Sequence, residues 1–485
     1  MPHTHSQITD FTGVALSAAI HARQVSCAEV LTAYLAQIDG INPQVNAIVA
    51  QQDRETLHAQ AQRLDMELAQ HTSRGLLHGI PQAPKDIMPA QGMVTTKGSP
   101  VFADQVSAFD AIHFERMRAS GAVFVGRTNS PEFGLGGHTY NPVYGATRNA
   151  WVPTRTAGGS SGGAAVATAL HMLPFADGSD MMGSLRTPAA FNNVFGFRPS
   201  LGAIPYGPSD EIFLQQYSTC GPMARNVPDL ALQMQVMVGA DTRTPLARDL
   251  AASGFEPAAL QRDFTGARIG WLGNWGGHLA MDEGLLAQQE QALGHFATLG
   301  AQVEHVALDF DLEQLWEAWL DLRSLQVAGA NMALYTDPAK RAMLKPEAVW
   351  EMERGMRLSG MRIYEAAKVR SAWYEYLRRL TERYEFLAMP TTQVYPFAVE
   401  LDWPHTIGER DMDTYHRWME VVIAATMAGL PALAVPAGIS ASGLPAGIQI
   451  MGGPRDDWAV LQLGQAYDQV SGYSQLRSPL LDAAA

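Results

Sequence analysis

Apolar positions along the chain change their period several times, and each change marks an element. Leu31, Leu35 and Ile38 recur at helical spacing behind Ser26-Cys27-Ala28-Glu29, which has capping-box spacing, and Asn42-Pro43 is expected to end that helix. Leu57, Ala61, Leu64 and Leu68 mark a second amphipathic helix. Short apolar runs follow at 122–125, 172–176, 268–272, 302–306, 386–389, 432–435 and 448–451, with the length of buried strands. Strands interleaved with helices predict an α/β layered fold, with ligands at the strand ends. The stretch from 310 to 380 is instead helical, with Trp316, Trp319, Trp350, Trp373 and several methionines. These large side chains are read first as core. No low-complexity linker or internal repeat sets the stretch apart, so residues 1–485 are read as one domain.

Two glycine-serine stretches interrupt the pattern. The first is Arg155-Thr156-Ala157-Gly158-Gly159-Ser160-Ser161-Gly162-Gly163-Ala164-Ala165, a loop feeding a buried helix of small residues whose free N–H groups point back at the serines. The second is Asp177-Gly178-Ser179-Asp180-Met181-Met182-Gly183-Ser184-Leu185-Arg186, and its serine follows Ser160 by 184 − 160 = 24 positions. The longest apolar run, 421–439, would suffice for a membrane span, but Gly429, Pro431, Pro436 and Gly438 interrupt it. A helix end, a loop and a buried strand are expected there, and no membrane partner.

Composition narrows the function. With 47% hydrophobic and 17% charged residues, this is an ordinary folded chain. A net charge of −14 and the lack of a basic patch argue against nucleic acid. The two cysteines, Cys27 and Cys220, lie 220 − 27 = 193 apart in no metal or redox spacing. They are read as buried free thiols, suited to a reducing cytoplasm. Met1-Pro2-His3-Thr4-His5-Ser6-Gln7 has no basic region followed by an apolar one, so no secretory leader is expected. The histidines show no ligand spacing, so neither a metal nor a cofactor is expected.

Lysine occurs only at 85, 97, 340, 345 and 368, and Lys85 stands in the apolar segment Gly79-Ile80-Pro81-Gln82-Ala83-Pro84-Lys85-Asp86-Ile87-Met88. A serine hydroxyl is a poor nucleophile until a base takes its proton. The base is a histidine, or a lysine that burial keeps neutral. For Lys85 to serve, Asp86 must face elsewhere. Backbone N–H groups around the second serine suit a developing oxyanion, each such donor contributing roughly 3–4 kcal/mol. Gly158-Gly159-Ser160-Ser161-Gly162 also fits the G-x-S-x-G elbow of an α/β-hydrolase, which makes Ser160 the nucleophile, yet no apolar strand leads into Gly158. A phosphate-binding loop lacks its G-K-[S/T].

Taken in order, Gly79-Ile80-Pro81 with Lys85-Asp86, Gly158 through Gly163, and Asp180 through Arg186 with Pro188-Ala189 resemble the amidase signature family, and the serine spacing matches as well. So do Gly126-Arg127-Thr128-Asn129, Gly221-Pro222-Met223-Ala224-Arg225, Met389-Pro390-Thr391-Thr392 and Gly443 through Gln449. The likeness covers most of the chain and is weakest at 240–380, the variable, mostly helical part placed on the substrate side.

This resemblance implies an α/β/α layered fold around a central mixed β-sheet. It implies Ser184 as nucleophile, Ser160 as proton relay after a cis Gly159–Ser160 peptide, and Lys85 as neutral base. The oxyanion hole would be the N–H groups of Met181, Met182, Gly183 and Ser184, supported by Ser161, Asp180 and Arg186. The reaction would be hydrolysis of a carboxylic amide, of an aryl or apolar acyl compound, through an acyl-enzyme. Carbamate (urethane) hydrolysis and a glutaminase-type subunit of an amidotransferase complex are the alternatives, and a homodimer is expected by analogy. Met182 departs from the family, which has glycine there; a methionine does not readily take φ > 0. Ser179 stands for a more usual threonine, and Thr426 where many members have asparagine.

Overall fold

The computed structural model describes residues 5–483. The leader expectation therefore falls partly on residues 1–4, outside the described residues. An eight-stranded mixed sheet forms the centre, built from β1 (Phe175–Asp180), β2 (Phe195–Arg198), β3 (Thr219–Ala224), β4 (Arg268–Trp271), β5 (Gln302–His305), β6 (Phe386–Pro390), β7 (Ala432–Ile439) and β8 (Pro445–Met451). The spatial order is β5-β4-β6-β8-β7-β2-β3-β1. Only β4 with β5 and β4 with β6 run parallel. The remaining pairs are antiparallel. Strands β6, β7 and β8 are buried along nearly their whole length, which explains why they read as unbroken apolar runs.

The capping box forms: Ser26 Oγ accepts from Glu29 N and the Glu29 carboxylate accepts from Ser26 N, opening α1 (Cys27–Val45). The helix does not end at Asn42-Pro43, as expected, but runs one turn further. A proline can sit in this last turn because Asn46 N–H still bonds the Asn42 carbonyl at 2.7 Å and Asn46 closes the helix in the left-handed region. Leu57, Ala61, Leu64 and Leu68 are all buried on α2 (Arg54–Ala69).

Two strand expectations shift. The 122–125 run gives only the two-residue strand Val123–Phe124, paired outside the main sheet with Pro81–Gln82. The 172–176 run begins as a turn, and the strand starts at Phe175 and continues through the second glycine-serine stretch to Asp180. Its pairing with β3 along the whole length, Phe175 opposite Ala224 to Asp180 opposite Thr219, overrides the weak strand propensity of Gly178 and Ser179. The 421–439 run is helix, loop and strand as expected, and no described helix is long and apolar enough to cross a membrane.

Strand β1 ends the sheet, and its open edge positions the site. Gln82 Nε2 donates to the Phe175 carbonyl at 3.1 Å, and Lys85 N–H reaches both Asp177 carboxylate oxygens at 3.3 Å. The lysine segment thus lies along β1. The buried helix α3 (Gly162–Ala169) follows the first serine loop. Helices α4 (Leu312–Tyr335), Pro346–Met356 and α5 (Gly360–Arg383) form the 310–380 region. Trp316, Trp319 and Trp373 are buried there in a second apolar core, which also takes in Met182.

The start of α3 tolerates no side chain at Gly163, where a Cβ would lie 2.4 Å from Asn129 N and 2.6 Å from the Ala47 carbonyl oxygen. Gly163→Ala is expected to lower the unfolding free energy by about 1–3 kcal/mol, because backbone on both sides must move. Chemical denaturation checks this, and an unchanged midpoint contradicts it.

Candidate active site

Lys85 sits at the end of the segment lining β1, with 1% of its surface exposed. Arg127 shapes the turn that carries it: its guanidinium donates to the carbonyls of Pro84 at 3.0 Å, Lys85 at 2.7 Å and Met88 at 2.6 Å. Asp86 does face elsewhere. Its carboxylate accepts from Thr96 N–H at 3.0 Å and from the Thr96 hydroxyl, and lies 3.7 Å from Arg127 Nη2. The Lys85 Nζ atom bonds three hydroxyls instead: Ser160 at 2.8 Å, Ser161 at 2.8 Å and Ser179 at 3.0 Å. Burial pushes the ammonium down to about 7, with the charges of Asp177 and Asp180 opposing. Burial thus favours the neutral amine, which lies within hydrogen-bond distance of the Ser160 hydroxyl.

Ser160 follows a cis Gly159–Ser160 peptide and is 3% exposed. The two serine loops are tied together where Ser161 N–H donates to the Ser184 carbonyl at 3.2 Å. Ser184 stands at the turn before the helix Arg186–Asn192 and is 7% exposed. Lys85, Ser160 and Ser161 are therefore joined directly, and Ser184 joins them through its backbone. A hydroxyl bond from Ser184 to Ser160 is not among the hydrogen bonds of the described residues; such bonds commonly tighten only with substrate in place.

Asp180 fixes the turn that carries Ser184. Its carboxylate accepts from Gly183 N–H at 2.9 Å, Leu185 N–H at 3.2 Å, Arg186 Nε and Nη2 at 3.0 Å each, and Arg198 Nη1 at 3.2 Å. Burial alone would raise its pKa, but the two guanidiniums and these bonds hold the carboxyl well below the usual carboxylate range. Arg186 reaches further, to the Val422 carbonyl at 3.0 Å, Gln449 Oε1 at 2.6 Å and Thr426 Oγ1 at 3.1 Å. Threonine at 426 thus keeps a polar partner for the arginine.

This turn engages one of the expected donors and accommodates the methionine. Gly183 N–H donates to the Asp180 carboxylate at 2.9 Å. The N–H groups of Met181, Met182 and Ser184 have no protein acceptor among the described residues. The left-handed position in the turn is Gly183, at φ 74°, and not Met182. A Cβ at Gly183 would also lie 2.8 Å from Val422 side-chain carbons. Methionine at 182 therefore needs no unusual backbone, and its side chain packs into the second core with 3% exposure. Beside it, Met181 Sδ is 3.8 Å from Nη1 of Arg323 on α4, whose other nitrogens hold Glu351 at 2.5 Å and Tyr415 at 2.7 Å.

A family model described as Amidase matches residues 29–461. The chain belongs to the amidase family. It is 31% identical to an acylamidase of Rhodococcus erythropolis over 427 residues, 87% of each chain. It is 32% identical to the glutamyl-tRNA(Gln) amidotransferase subunit of Symbiobacterium thermophilum over 95% of this chain and 97% of that one. A bacterial aryl acylamidase of the amidase signature family superposes with a TM-score of 0.90 at 27% identity, covering 100% of this chain and 98% of the other. The chain is accordingly an amidase, a hydrolase of amide C–N bonds on the α/β fold of that family.

Two side chains of this amidase site escape sequence reasoning in their roles. Arg198, the second cation on Asp180, lies in Phe195-Gly196-Phe197-Arg198, where nothing but a charge at the end of an apolar strand hints at a buried partner. Ser179, the third hydroxyl on Lys85, reads in the sequence only as a substitution for threonine. Removing the negative charge at Asp180 leaves two guanidiniums buried without their counter-ion. Asp180→Asn is expected to destabilise the fold by about 3–5 kcal/mol. A thermal melt of the variant within a degree of the parent contradicts that role.

Proposed function

We propose that this amidase hydrolyses aryl or apolar acyl amides through an acyl-enzyme on Lys85, Ser160 and Ser184. One observation carries the reading: a fully buried lysine whose amine meets three hydroxyls and pairs with no carboxylate among the described residues. Neutral Lys85 takes the Ser160 proton as Ser160 takes that of Ser184. Ser184 Oγ then attacks the carbonyl carbon, and the oxyanion rests on the N–H groups of Met181, Met182 and Ser184. As the tetrahedral species collapses, the proton returns from Lys85 through Ser160 to the leaving amine. Water then repeats the attack on the acyl-Ser184 ester, with the same relay activating it, and releases the acid.

The substrate class is inferred from the apolar surroundings of the oxyanion loop. Met182 shares its core with Phe191, Tyr217 and Trp319, and the 310–380 helices reach Met181 through Arg323, which supports placing them on the substrate side. Carbamates present the same carbonyl to the same nucleophile, so urethane hydrolysis belongs to the same test. The buried free thiols of Cys27 and Cys220 suit a reducing compartment, and we place the enzyme in the cytoplasm.

Three results are expected. In a panel of an acyl anilide, an aryl carbamate and glutamine, the anilide should show the highest kcat/KM; a preference for glutamine contradicts the substrate class. Ser184→Ala and Lys85→Met, checked for folding by circular dichroism, should each lose at least about a thousandfold in kcat. Because only the neutral amine is active and burial sets it near 7, kcat/KM should rise with pH through about 7 and level off above it. A profile flat from pH 5 to 9 rules out Lys85 as the base.

A further inference from the structure

A second buried acid lies against Lys85, and the hydrolytic steps above do not use it. Alternation along β1 puts Asp177 and Ser179 on one face and Asp180 on the other. Both residues of the first face meet Lys85. Ser179 accepts from Nζ at 3.0 Å, and the two Asp177 oxygens share the Lys85 backbone N–H at 3.3 Å each. Asp177 is 1% exposed and, among the described residues, forms no ion pair with Nζ; its charge favours the ammonium without direct contact.

The charged and titratable groups packed around Asp177 do not cancel it. His113, from the helix Ile112–Ala119, places Nε2 3.9 Å from Asp177 Oδ2. Burial holds that imidazole neutral, down at about 3, and its Nδ1 has no partner. Arg127 is committed to three backbone carbonyls and to Asp86. Cys220, from β3, is buried and its thiol is pushed up, so it stays protonated. Asp180, on the opposite face, is neutralised by Arg186 and Arg198. Asp110 and Arg116, which act on His113, pair with Arg118 and with backbone carbonyls respectively. Of the acids near the base, Asp177 is the one without a guanidinium of its own.

We propose that Asp177 is a positioning residue for the base: it anchors the Lys85 backbone and, by its charge, sets the pH at which the amidase becomes active. An ionised carboxylate in the same dry space favours the charged lysine and delays its deprotonation. Burial raises Asp177 itself to about 6, with the Lys85 N–H bond and the charges of Arg127 and Lys85 opposing, so it is mostly ionised at the midpoint of Lys85 near 7.

The test rests on the reading of Lys85 as base and is built to separate the two. Asp177→Asn keeps the size and an oxygen for the Lys85 N–H but removes the charge. The acid limb of kcat/KM should move down by about one pH unit, which makes the variant about fivefold more active, relative to its own plateau, one unit below the parent midpoint. His113→Gln, which removes no charge, should leave the limb in place. A limb that stays or moves up in Asp177→Asn overturns the proposal. If that protein does not fold, Asp177→Ser, also uncharged, is read the same way. Full turnover by Lys85→Met sinks the base assignment and this inference with it. A dead Lys85→Met with an unmoved limb in Asp177→Asn sinks the role of Asp177 alone.

Discussion

The site depends on one constraint: an amine has been taken out of water and given hydroxyls rather than a carboxylate. Moving an ammonium into a dry interior is costly unless it finds a counter-charge or gives up its proton. Lys85 has three neutral hydroxyls around Nζ, and burial brings it down to about 7. The architecture serves that outcome. The open edge of β1 receives the lysine segment, Arg127 grips the carbonyls of its turn, and Asp86 is turned toward Thr96 and Arg127.

The other charges of the site are arranged by the opposite rule. Asp180 has two arginines and two backbone donors, and its carboxylate is strongly stabilised in the charged form. Its work is geometric: it folds the turn that carries Ser184 and takes up the Gly183 N–H. Successive residues of a strand point to opposite faces, so Asp177 and Ser179 address Lys85 while Asp180 addresses the turn that carries Ser184. A single six-residue strand thereby positions both ends of the proposed proton relay.

Much of this was legible in the chain. Buried strands with apolar runs, such as Ala432–Ile439 and Phe386–Pro390, announce themselves because both faces are covered. The serine loops were legible because no packing pattern accounts for so many glycines, and the lysine because it stands in an apolar setting. What could not be read depends on partners distant in sequence. Strand β1 continues through Gly178 and Ser179 only because β3 pairs with it, and no local propensity reports that. Arg198 acquires its role from Asp180, 18 residues away, and the Gly183 N–H is engaged by the same carboxylate. Met182 looked like a backbone problem in the sequence, and the turn solves it by placing φ 74° one residue later.

The central claim is that Ser184, activated through Ser160 by neutral Lys85, is the nucleophile. The most direct measurement is labelling with a small fluorophosphonate at pH 8, followed by peptide mass mapping, on the parent and on Lys85→Met. The account predicts one phosphonyl group on Ser184 in the parent and little or none in the variant. Label on Ser160, or label on Ser184 at an undiminished rate without the lysine, contradicts it.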